Sequence, residues 1–153
     1  MPSEIEHKYL IQPKALPRPL PAGKRIVQGY LSLTPAVRVR IASLKGTTKA
    51  YLTIKGPGLR QRSEFEYEIP VAHARQLMKL CGAHTLSKIR YQLGNWEVDQ
   101  FVGRHKGLWL AEYELPSIKA RMPKLPEWID REVTGDKRYV NTSLVLQQTA
   151  AWK

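Results

Sequence analysis

Charged side chains recur at every second position in six short segments of the chain, and this alternation is the feature that most constrains the fold. Successive side chains of a β-strand point to opposite faces, so residues two positions apart share a face. In the first segment, Glu4-Ile5-Glu6-His7-Lys8-Tyr9-Leu10, two carboxylates and an amine would share one face of a strand. The alternation therefore predicts a sheet with one charged face and one largely apolar face.

Each of these six segments contains a pair of alternating charges of the same sign. The pairs are Glu4 and Glu6, Arg38 and Arg40, Glu64 and Glu66, Lys88 and Arg90, Glu97 and Asp99, and Glu112 and Glu114. A sheet face in contact with water usually mixes both signs, because like charges that are neighbours on one face repel each other. A solvated face is the ordinary explanation for any single strand, but sorting by sign over whole strands favours a different environment.

The sorted charges indicate a site that binds cations and anions side by side. Neighbouring carboxylates stay ionised at low cost when a hard divalent cation lies between them. Paired Arg and Lys side chains match the oxygens of a multivalent anion such as a phosphate chain. Our working hypothesis is therefore an inside-out barrel, in which both sets of charges face the interior and helices cover the apolar exterior.

Short turns separate most of the strand-like segments, which favours an antiparallel sheet. After the N-terminal strand, four prolines predict a loop over residues 12–23. Further strands are expected over residues 25–32, 36–42, 49–55, 62–69, 87–93, 96–102 and 108–115, and helices over 71–80 and from 137 to about 148. The predicted fold is α+β and mostly β: an eight-stranded antiparallel closed barrel with a charged interior and with helices packed outside.

Length and composition set further limits. A chain of 153 residues fits one domain, and 42% hydrophobic and 25% charged residues are typical of soluble globular proteins. No window is apolar enough for a membrane-spanning helix, and Glu4 and Glu6 stand where a signal peptide would be basic. We therefore expect a cytoplasmic protein without a membrane partner. The lone Cys81 is expected to be a small buried side chain after a helix. The net charge of +12 makes anionic partners plausible.

The N-terminal segment is similar to the ExExK signature of the CYTH superfamily, the triphosphate tunnel metalloenzymes. The resemblance continues in order through nearly the whole chain, which we treat as one domain over residues 1–153. Its further blocks are Gln28-Gly29-Tyr30-Leu31, Arg38-Val39-Arg40, Leu52-Thr53-Ile54-Lys55-Gly56, Glu64-Phe65-Glu66-Tyr67-Glu68-Ile69, Lys88-Ile89-Arg90-Tyr91, Trp96-Glu97-Val98-Asp99, Ala111-Glu112-Tyr113-Glu114-Leu115, Glu132-Val133-Thr134-Gly135-Asp136 and Arg138-Tyr139-Val140-Asn141. Each block alone is weak, but the ordered set is specific.

The resemblance implies a tunnel that binds triphosphate-containing substrates together with Mg²⁺ or Mn²⁺. Carried over by position, the metal ligands would be Glu4, Glu6, Glu64, Glu66, Glu97, Asp99, Glu112 and Glu114. The phosphate-binding residues would be Lys8, Arg38, Arg40, Lys55, Arg62, Lys88 and Arg90. The expected catalytic residues are Glu4, Glu6, Lys8 and Glu114. His7 occupies a position where the family commonly has Arg. In the strand alternation its side chain would point out of the tunnel.

Several activities are compatible with such a tunnel. The short bacterial-type members that the chain resembles imply hydrolysis of inorganic tripolyphosphate to pyrophosphate and phosphate. Alternatives are a thiamine or nucleoside triphosphatase and an adenylyl cyclase, although no motif for reading adenine is recognisable. A basic β-barrel that binds nucleic acid is the alternative of another class. The charge of +12 and seven Tyr favour this alternative. Two features oppose it: the aromatic residues lie on the apolar faces of the predicted strands, and the acidic pairs would repel a phosphate backbone.

Overall fold

The structure is a computed structural model that describes residues 5–56, 63–117 and 119–146. Two α-helices lie in these ranges, α1 (Val71–Leu80) and α2 (Asn141–Leu146). The strands are β1 (Ile5–Ile11), β2 (Lys24–Leu33), β3 (Ala36–Leu44), β4 (Thr47–Lys55), β5 (Glu64–Ile69), β6 (Thr85–Leu93), β7 (Trp96–Val102), β8 (Trp109–Leu115) and β9 (Ile129–Glu132). Neither described helix has the length and apolar character needed to cross a bilayer.

All nine strands form one antiparallel sheet in the order β5-β4-β3-β2-β6-β7-β8-β1-β9. The eight predicted strands are present, and β9 adds a short ninth strand beside β1. The prediction of a closed barrel is not confirmed, because β5 and β9 are the sheet edges and no pairing joins them within the described ranges. Closure depends on edge-to-edge backbone hydrogen bonds, which side-chain alternation does not specify.

The sheet is strongly curled, although its edges are not paired. Lys55 on β4 and Glu6 on β1 belong to the second and eighth strands of the sheet order, six steps apart. In a flat sheet with ~4.8 Å between strands, this separation is about 29 Å. Both residues nevertheless line one cavity of about 980 Å³. The strands therefore wrap around this cavity, as the natural twist and coiling of sheets allow, and the charged face lies on the inside.

Helix α1 covers the outer face of β2, β3 and β4, as predicted. Pro70 precedes the first helical residue, where its missing N–H costs no helical hydrogen bond. Ala74 of α1 is fully buried in one cluster with Val39 of β3. The helix approaches closely because β2 has Gly29 at this point, where an added Cβ would lie 2.8 Å from Cys81 Sγ. Cys81 itself is buried at the end of α1, as expected.

Loops, and not helices, cover the outer face of β1, β7 and β8. Trp96 makes edge-to-face contacts with Tyr9 and Trp128, with ring centroids 5.6 and 5.4 Å apart. Leu16, from the proline-rich segment after β1, belongs to the same buried cluster. The expectation that helices cover the whole exterior is therefore wrong for this part of the sheet. Large aromatic side chains bury enough apolar surface here for loops to take the place of a helix.

Helix α2 lies on the inner face, in contrast to the predicted helix packed outside. The expected helix from residue 137 is split into a 3₁₀ turn, Lys137–Tyr139, and the short α2. Leu144 of α2 is fully buried in a cluster with Phe101, which belongs to the inner face of β7. His105 Nε2 lies 2.8 Å from the Leu144 carbonyl oxygen. The C-terminal segment therefore closes one end of the charged face with an apolar cluster.

Candidate active site

The inner face of the sheet forms a charged cavity of about 980 Å³, here called the main cavity. Antiparallel pairing places side chains of equal parity on one face, and the curl of the sheet turns that face inward. Residues that are distant in sequence therefore meet in one wall. The site residues predicted from the sequence that line the main cavity are Glu6, Lys8, Arg38, Arg40, Lys55, Arg90, Glu97 and Glu112.

A buried ion-pair network fixes Arg90 in this wall. Arg90 donates to both oxygens of Asp99, at 2.8 and 2.9 Å, and to Glu97 Oε2 at 3.3 Å. Lys88 Nζ lies 2.8 Å from Asp99 Oδ2, and both of these residues are buried. Burial alone would raise the pKa of Asp99, but the charges and hydrogen bonds of Lys88 and Arg90 outweigh it and hold the pKa well below its usual range. Asp99 therefore stays ionised and orients Arg90.

Arg38 and Arg40 bring two further positive charges to the wall. Arg38 donates to Thr53 Oγ1 at 3.4 Å. Arg40 donates from Nε and Nη2 to Gln28 Oε1, at 3.0 and 2.8 Å. Burial, and then the charges of Arg38 and Arg90, lower the pKa of Arg40 to about 10. The guanidinium is still charged at neutral pH, and the mutual repulsion of the three arginines favours an anion between them.

A smaller cavity of about 380 Å³ adjoins the main cavity and is acidic. Its lining consists of Glu6, Glu97, Glu112 and Glu114 with Gln92 and Asn95. A hydrogen bond with Glu112, burial and the charge of Glu112 together raise the pKa of Glu6. Burial opposes ionisation of Glu112, but the hydrogen bond from Glu6 and the charge of Lys8 lower its pKa. Glu6 is therefore the carboxylate of the pair that is harder to ionise, and a cation beside both groups would favour the ionised form of each.

The C-terminal segment supplies the remaining wall of the main cavity. Lys8 Nζ lies 3.4 Å from Glu112 Oε1 and donates to the Tyr139 carbonyl oxygen at 3.1 Å. The hydroxyl of Thr134 accepts a hydrogen bond from the Lys8 backbone N–H at 3.0 Å. Thr134 and Asn141 also line the cavity. The amine of Lys8 is therefore held between a carboxylate of the acidic cavity and the C-terminal segment.

Two curated relatives align with the chain over nearly its full length. An inorganic triphosphatase from Acetivibrio thermocellus is 42% identical over 153 residues, which cover 95% of this chain and 94% of the relative. An inorganic triphosphatase from Nitrosomonas europaea is 32% identical over 154 residues, with coverage of 94% and 97%. The chain belongs to the inorganic triphosphatase family. This membership confirms the resemblance that the ordered motifs carry, although no family model matches the chain.

Solved structures agree with membership of the inorganic triphosphatase family. The crystal structure of the inorganic triphosphatase NE1496 has a TM-score of 0.70 and 31% identity to this chain, and the match covers 98% of this chain and 99% of that one. A second crystal structure of NE1496 has a TM-score of 0.68 at 34% identity, with coverage of 95% and 99%. The PH1819 protein from Pyrococcus horikoshii, at 21% identity and a TM-score of 0.50, shares the fold.

Not every predicted site residue of this inorganic triphosphatase family member reaches the two cavities. Glu4 and Arg62 lie outside the described residues. Glu64 and Glu66 are exposed on the edge strand β5, and Glu66 Oε1 accepts a hydrogen bond from Thr53 Oγ1 at 2.8 Å. These two carboxylates do not line the acidic cavity. Their assignment as metal ligands stays a prediction.

Lys88 and Asp99 also stand behind the cavity walls, and neither residue lines the main or the acidic cavity. The structure pairs them with each other, and Asp99 uses both of its oxygens on Lys88 and Arg90. Their assignments as phosphate and metal ligands stay predictions. Their observed contact orients Arg90.

Several neutral residues around the site of this family member have no role predicted from the sequence. Tyr30 lines the main cavity, and Gln28 contacts Arg40 behind its wall. Both side chains lie on the inner face of β2. The alternation that predicts the charged site residues would therefore also have indicated these two, had it been applied to uncharged side chains. Asn141 and Thr142 reach the cavity from the start of α2. Asn141 belongs to the last motif block of the resemblance, which gave it no role, and no sequence signal marks Thr142, because only tertiary packing brings that short helix to the inner face.

The acidic cavity offers suitable donors for a hard divalent cation. No group of three or more His, Cys, Asp or Glu side chains is preassembled around a metal position in residues 5–56, 63–117 and 119–146. Mg²⁺, however, is commonly held by one or two carboxylates, several waters and substrate phosphates. Glu6 and Glu112 have the oxygen donors for this mode of binding, and the raised pKa of Glu6 beside Glu112 indicates a position where positive charge would be stabilised.

Proposed function

We propose that this protein hydrolyses inorganic triphosphate to pyrophosphate and phosphate. The observation that carries the proposal is a single cavity that places Arg38, Arg40 and Arg90 beside the carboxylates of Glu6 and Glu112. Guanidinium groups match phosphate oxygens in both charge and geometry, so a compact polyphosphate suits this wall. The two relatives that are named inorganic triphosphatase support the same substrate.

We also propose that the reaction requires Mg²⁺ or Mn²⁺. The residues that would hold the ion are Glu6, Glu97, Glu112 and Glu114, with Glu4 as a further candidate from the sequence. When bound, such an ion neutralises phosphate charge and lowers the pKa of a coordinated water. The raised pKa of Glu6 beside Glu112 supports this role, because a bound cation would relieve the repulsion between the two carboxylates.

The side chains of the protein would drive the reaction through positioning and charge. The phosphate ligands in the main cavity would be Lys8, Arg38, Arg40, Lys55 and Arg90. They hold the phosphate chain and stabilise the charge that develops on the leaving pyrophosphate. A water molecule attacks a terminal phosphorus in line, the phosphoanhydride P–O bond breaks, and a carboxylate of the acidic cavity accepts a proton of the water. Asp99 keeps Arg90 in place during this step.

The curled sheet is proposed to act as a tunnel around the substrate. Support comes from the curl that brings β4 and β1 to one cavity, and from the fold shared with NE1496. Helix α2 closes one end of the inner face with an apolar cluster. A wall that surrounds the substrate would exclude water and strengthen the electrostatic interactions inside.

The test is phosphate release from tripolyphosphate in the presence of Mg²⁺, Mn²⁺ or EDTA. We expect metal-dependent release that EDTA abolishes. Arg40→Ala and Glu112→Gln should each lower kcat/KM about 100-fold, a typical cost of removing one preorganised group that stabilises the transition state. Arg75→Ala and Glu127→Gln are the matched controls, because both residues are exposed and line neither cavity. The controls should keep wild-type rates.

The same assay separates the alternative functions. Faster release from ATP or thiamine triphosphate would replace the proposed substrate, and formation of cyclic AMP from ATP would indicate a cyclase. Nucleic-acid binding that survives EDTA, without phosphate release from any substrate, would favour the basic binding module. Full activity in both Arg40→Ala and Glu112→Gln would contradict the proposed site.

A further inference from the structure

The three arginines of the main cavity differ in the carboxylates near them. A carboxylate binds Arg90 with a shortest N···O distance of 2.8 Å. The carboxylate nearest to Arg38 lies 3.8 Å away, beyond hydrogen-bond distance, and Arg38 donates to the Thr53 hydroxyl at 3.4 Å. Arg40 instead donates twice to a neutral group, the amide oxygen of Gln28, at 3.0 and 2.8 Å. In the part of the chain that the structure describes, no carboxylate lies within ion-pair distance of Arg40. Arg40 is therefore oriented by the protein but not neutralised by it.

Packing alone does not explain a glutamine at this position. Gln28 is fully buried on the inner face of β2, directly opposite Arg40 in the pairing with β3. Its Nε2 group forms no hydrogen bond of good geometry among the described residues, although the Gln28 side chain also interacts with Tyr30, where it opposes the rise in pKa that burial causes. Burying an unsatisfied amide N–H costs free energy that an apolar side chain of similar volume would avoid. The satisfied part of the amide is the oxygen that binds Arg40, so this contact is what the glutamine contributes.

We propose that Gln28 is a positioning residue that orients Arg40 toward a substrate phosphate without offsetting its charge. This inference rests on the proposed function. The two hydrogen bonds fix the Nε and Nη2 edge of the guanidinium, so the Nη1 group is presented in one orientation. Preorganisation of this kind lowers the entropy that a flexible arginine loses when it binds an anion.

The neutrality of the amide is the second part of the inference. A glutamate at position 28 could accept the same two hydrogen bonds, but its charge would offset that of Arg40 and weaken the attraction for phosphate. The carboxylates near Arg38 and Arg90 already offset those two charges in part. Arg40 thus carries the least compensated positive charge of the three, and Gln28 preserves it.

The experiment measures tripolyphosphate binding to the full chain by calorimetry in EDTA, followed by steady-state kinetics with Mg²⁺. Gln28→Met removes the anchor at similar volume, and Gln28→Glu keeps the contacts but adds a negative charge. We expect each variant to bind tripolyphosphate about tenfold more weakly. In Gln28→Met the cause is the loss of the hydrogen bonds that orient a charged group, and in Gln28→Glu it is the added charge that offsets that of Arg40. KM should rise by a similar factor, with a smaller change in kcat. Thermal unfolding shows that each variant is folded.

Gln100→Met and Gln100→Glu are the matched controls. Gln100 is a partly buried glutamine on the outer face of β7, where its Oε1 accepts a hydrogen bond from the Tyr91 hydroxyl at 3.1 Å. These variants should bind tripolyphosphate like the wild type. If Gln28→Met fails to fold, Gln28→Asn, which shortens the side chain and withdraws its oxygen from Arg40, tests the anchor in its place. Gln28→Glu then tests the neutrality of the amide, because a loss of affinity in a stably folded Gln28→Glu protein is not an effect of packing.

Three outcomes would overturn the inference. Wild-type affinity in both Gln28 variants would show that the contact with Arg40 has no role in anion binding. Wild-type affinity in Gln28→Glu alone would show that the neutrality of the amide is irrelevant. A wild-type protein that does not bind tripolyphosphate would overturn the proposed function together with this inference, whereas binding that is insensitive to both substitutions overturns the inference alone.

Discussion

At the scale of single residues, Asp99 organises the interior of the sheet. It binds Lys88 and Arg90 while it is almost completely buried. Removal of its charge would leave the buried amine of Lys88 without a counter-charge, and breaking a buried pair in this way typically costs about 3–5 kcal/mol. We expect Asp99→Asn to lower the free energy of unfolding by about 3 kcal/mol or more. Urea denaturation measures this change.

The double variant Asp99→Asn/Lys88→Met tests the cause of that loss. Because it removes both charges, it should be less unstable than the sum of the two single variants. Asp130→Asn, on the exposed part of β9, is the control and should unfold like the wild type. If Asp99→Asn were as stable as this control, the buried pair would have no measurable role in stability.

At the scale of secondary-structure elements, the docking of α2 shapes the site, and His105 is part of that contact. His105 is buried, and its Nε2 lies 2.8 Å from the Leu144 carbonyl oxygen. Burial lowers the pKa of His105, although the hydrogen bond to Leu144 opposes this shift. Below the usual histidine pKa of about 6.5, the unfolded chain therefore binds a proton more readily than the native protein does.

We expect His105 to destabilise the native state as the pH drops through about 6.5, because the unfolded state then carries more protons at this residue. The raised pKa of Glu6 acts in the opposite direction over the same range, so the test compares variants at each pH. His105→Gln keeps a side-chain donor but does not titrate, so the wild type should lose stability relative to His105→Gln between about pH 7.5 and 5.5. Urea unfolding across this range measures both slopes. His73→Gln, on the exposed part of α1, should keep the wild-type slope. An equally steep slope in His105→Gln would contradict the assignment.

At the scale of the whole molecule, binding of a divalent cation should couple to folding. The carboxylates of the acidic cavity come together only in the folded sheet, so an ion held there binds the native state and stabilises it. We expect Mg²⁺ or Mn²⁺ to raise the melting temperature, with a gain of about 2.7 kcal/mol at a concentration 100 times the dissociation constant. Differential scanning calorimetry measures the shift.

Two comparisons make this result specific to the acidic cavity. Glu112→Gln should reduce the metal-induced shift, whereas Glu127→Gln, on an exposed loop, should keep it. NaCl at matched ionic strength should not reproduce it, because screening acts on all surface charges alike. An equal shift with NaCl would mean that no specific ion site exists.

Local side-chain patterns determined much of the fold and of the site. The period-two pattern predicted the eight strands, and it also predicted that Lys8, Arg40 and Glu112 point inward. Both predictions depend only on neighbouring residues, because alternation is a local property of a strand. Pro70 and the helical spacing after it marked α1 for a similar reason. The ordered motifs were specific enough to identify the family.

Tertiary structure alone decided how these parts meet. The edges of the sheet, the loops that cover Trp96 and the position of α2 on the inner face depend on contacts between residues far apart in the chain. The neutral contact of Gln28 with Arg40 also arises only when β2 pairs with β3 in one register. The sequence by itself therefore determined the strands, their charged face and the family, since these follow from local order. The curl, the closed end and the anchoring of each arginine were decided by packing, because distant side chains acquire partners only in the folded chain.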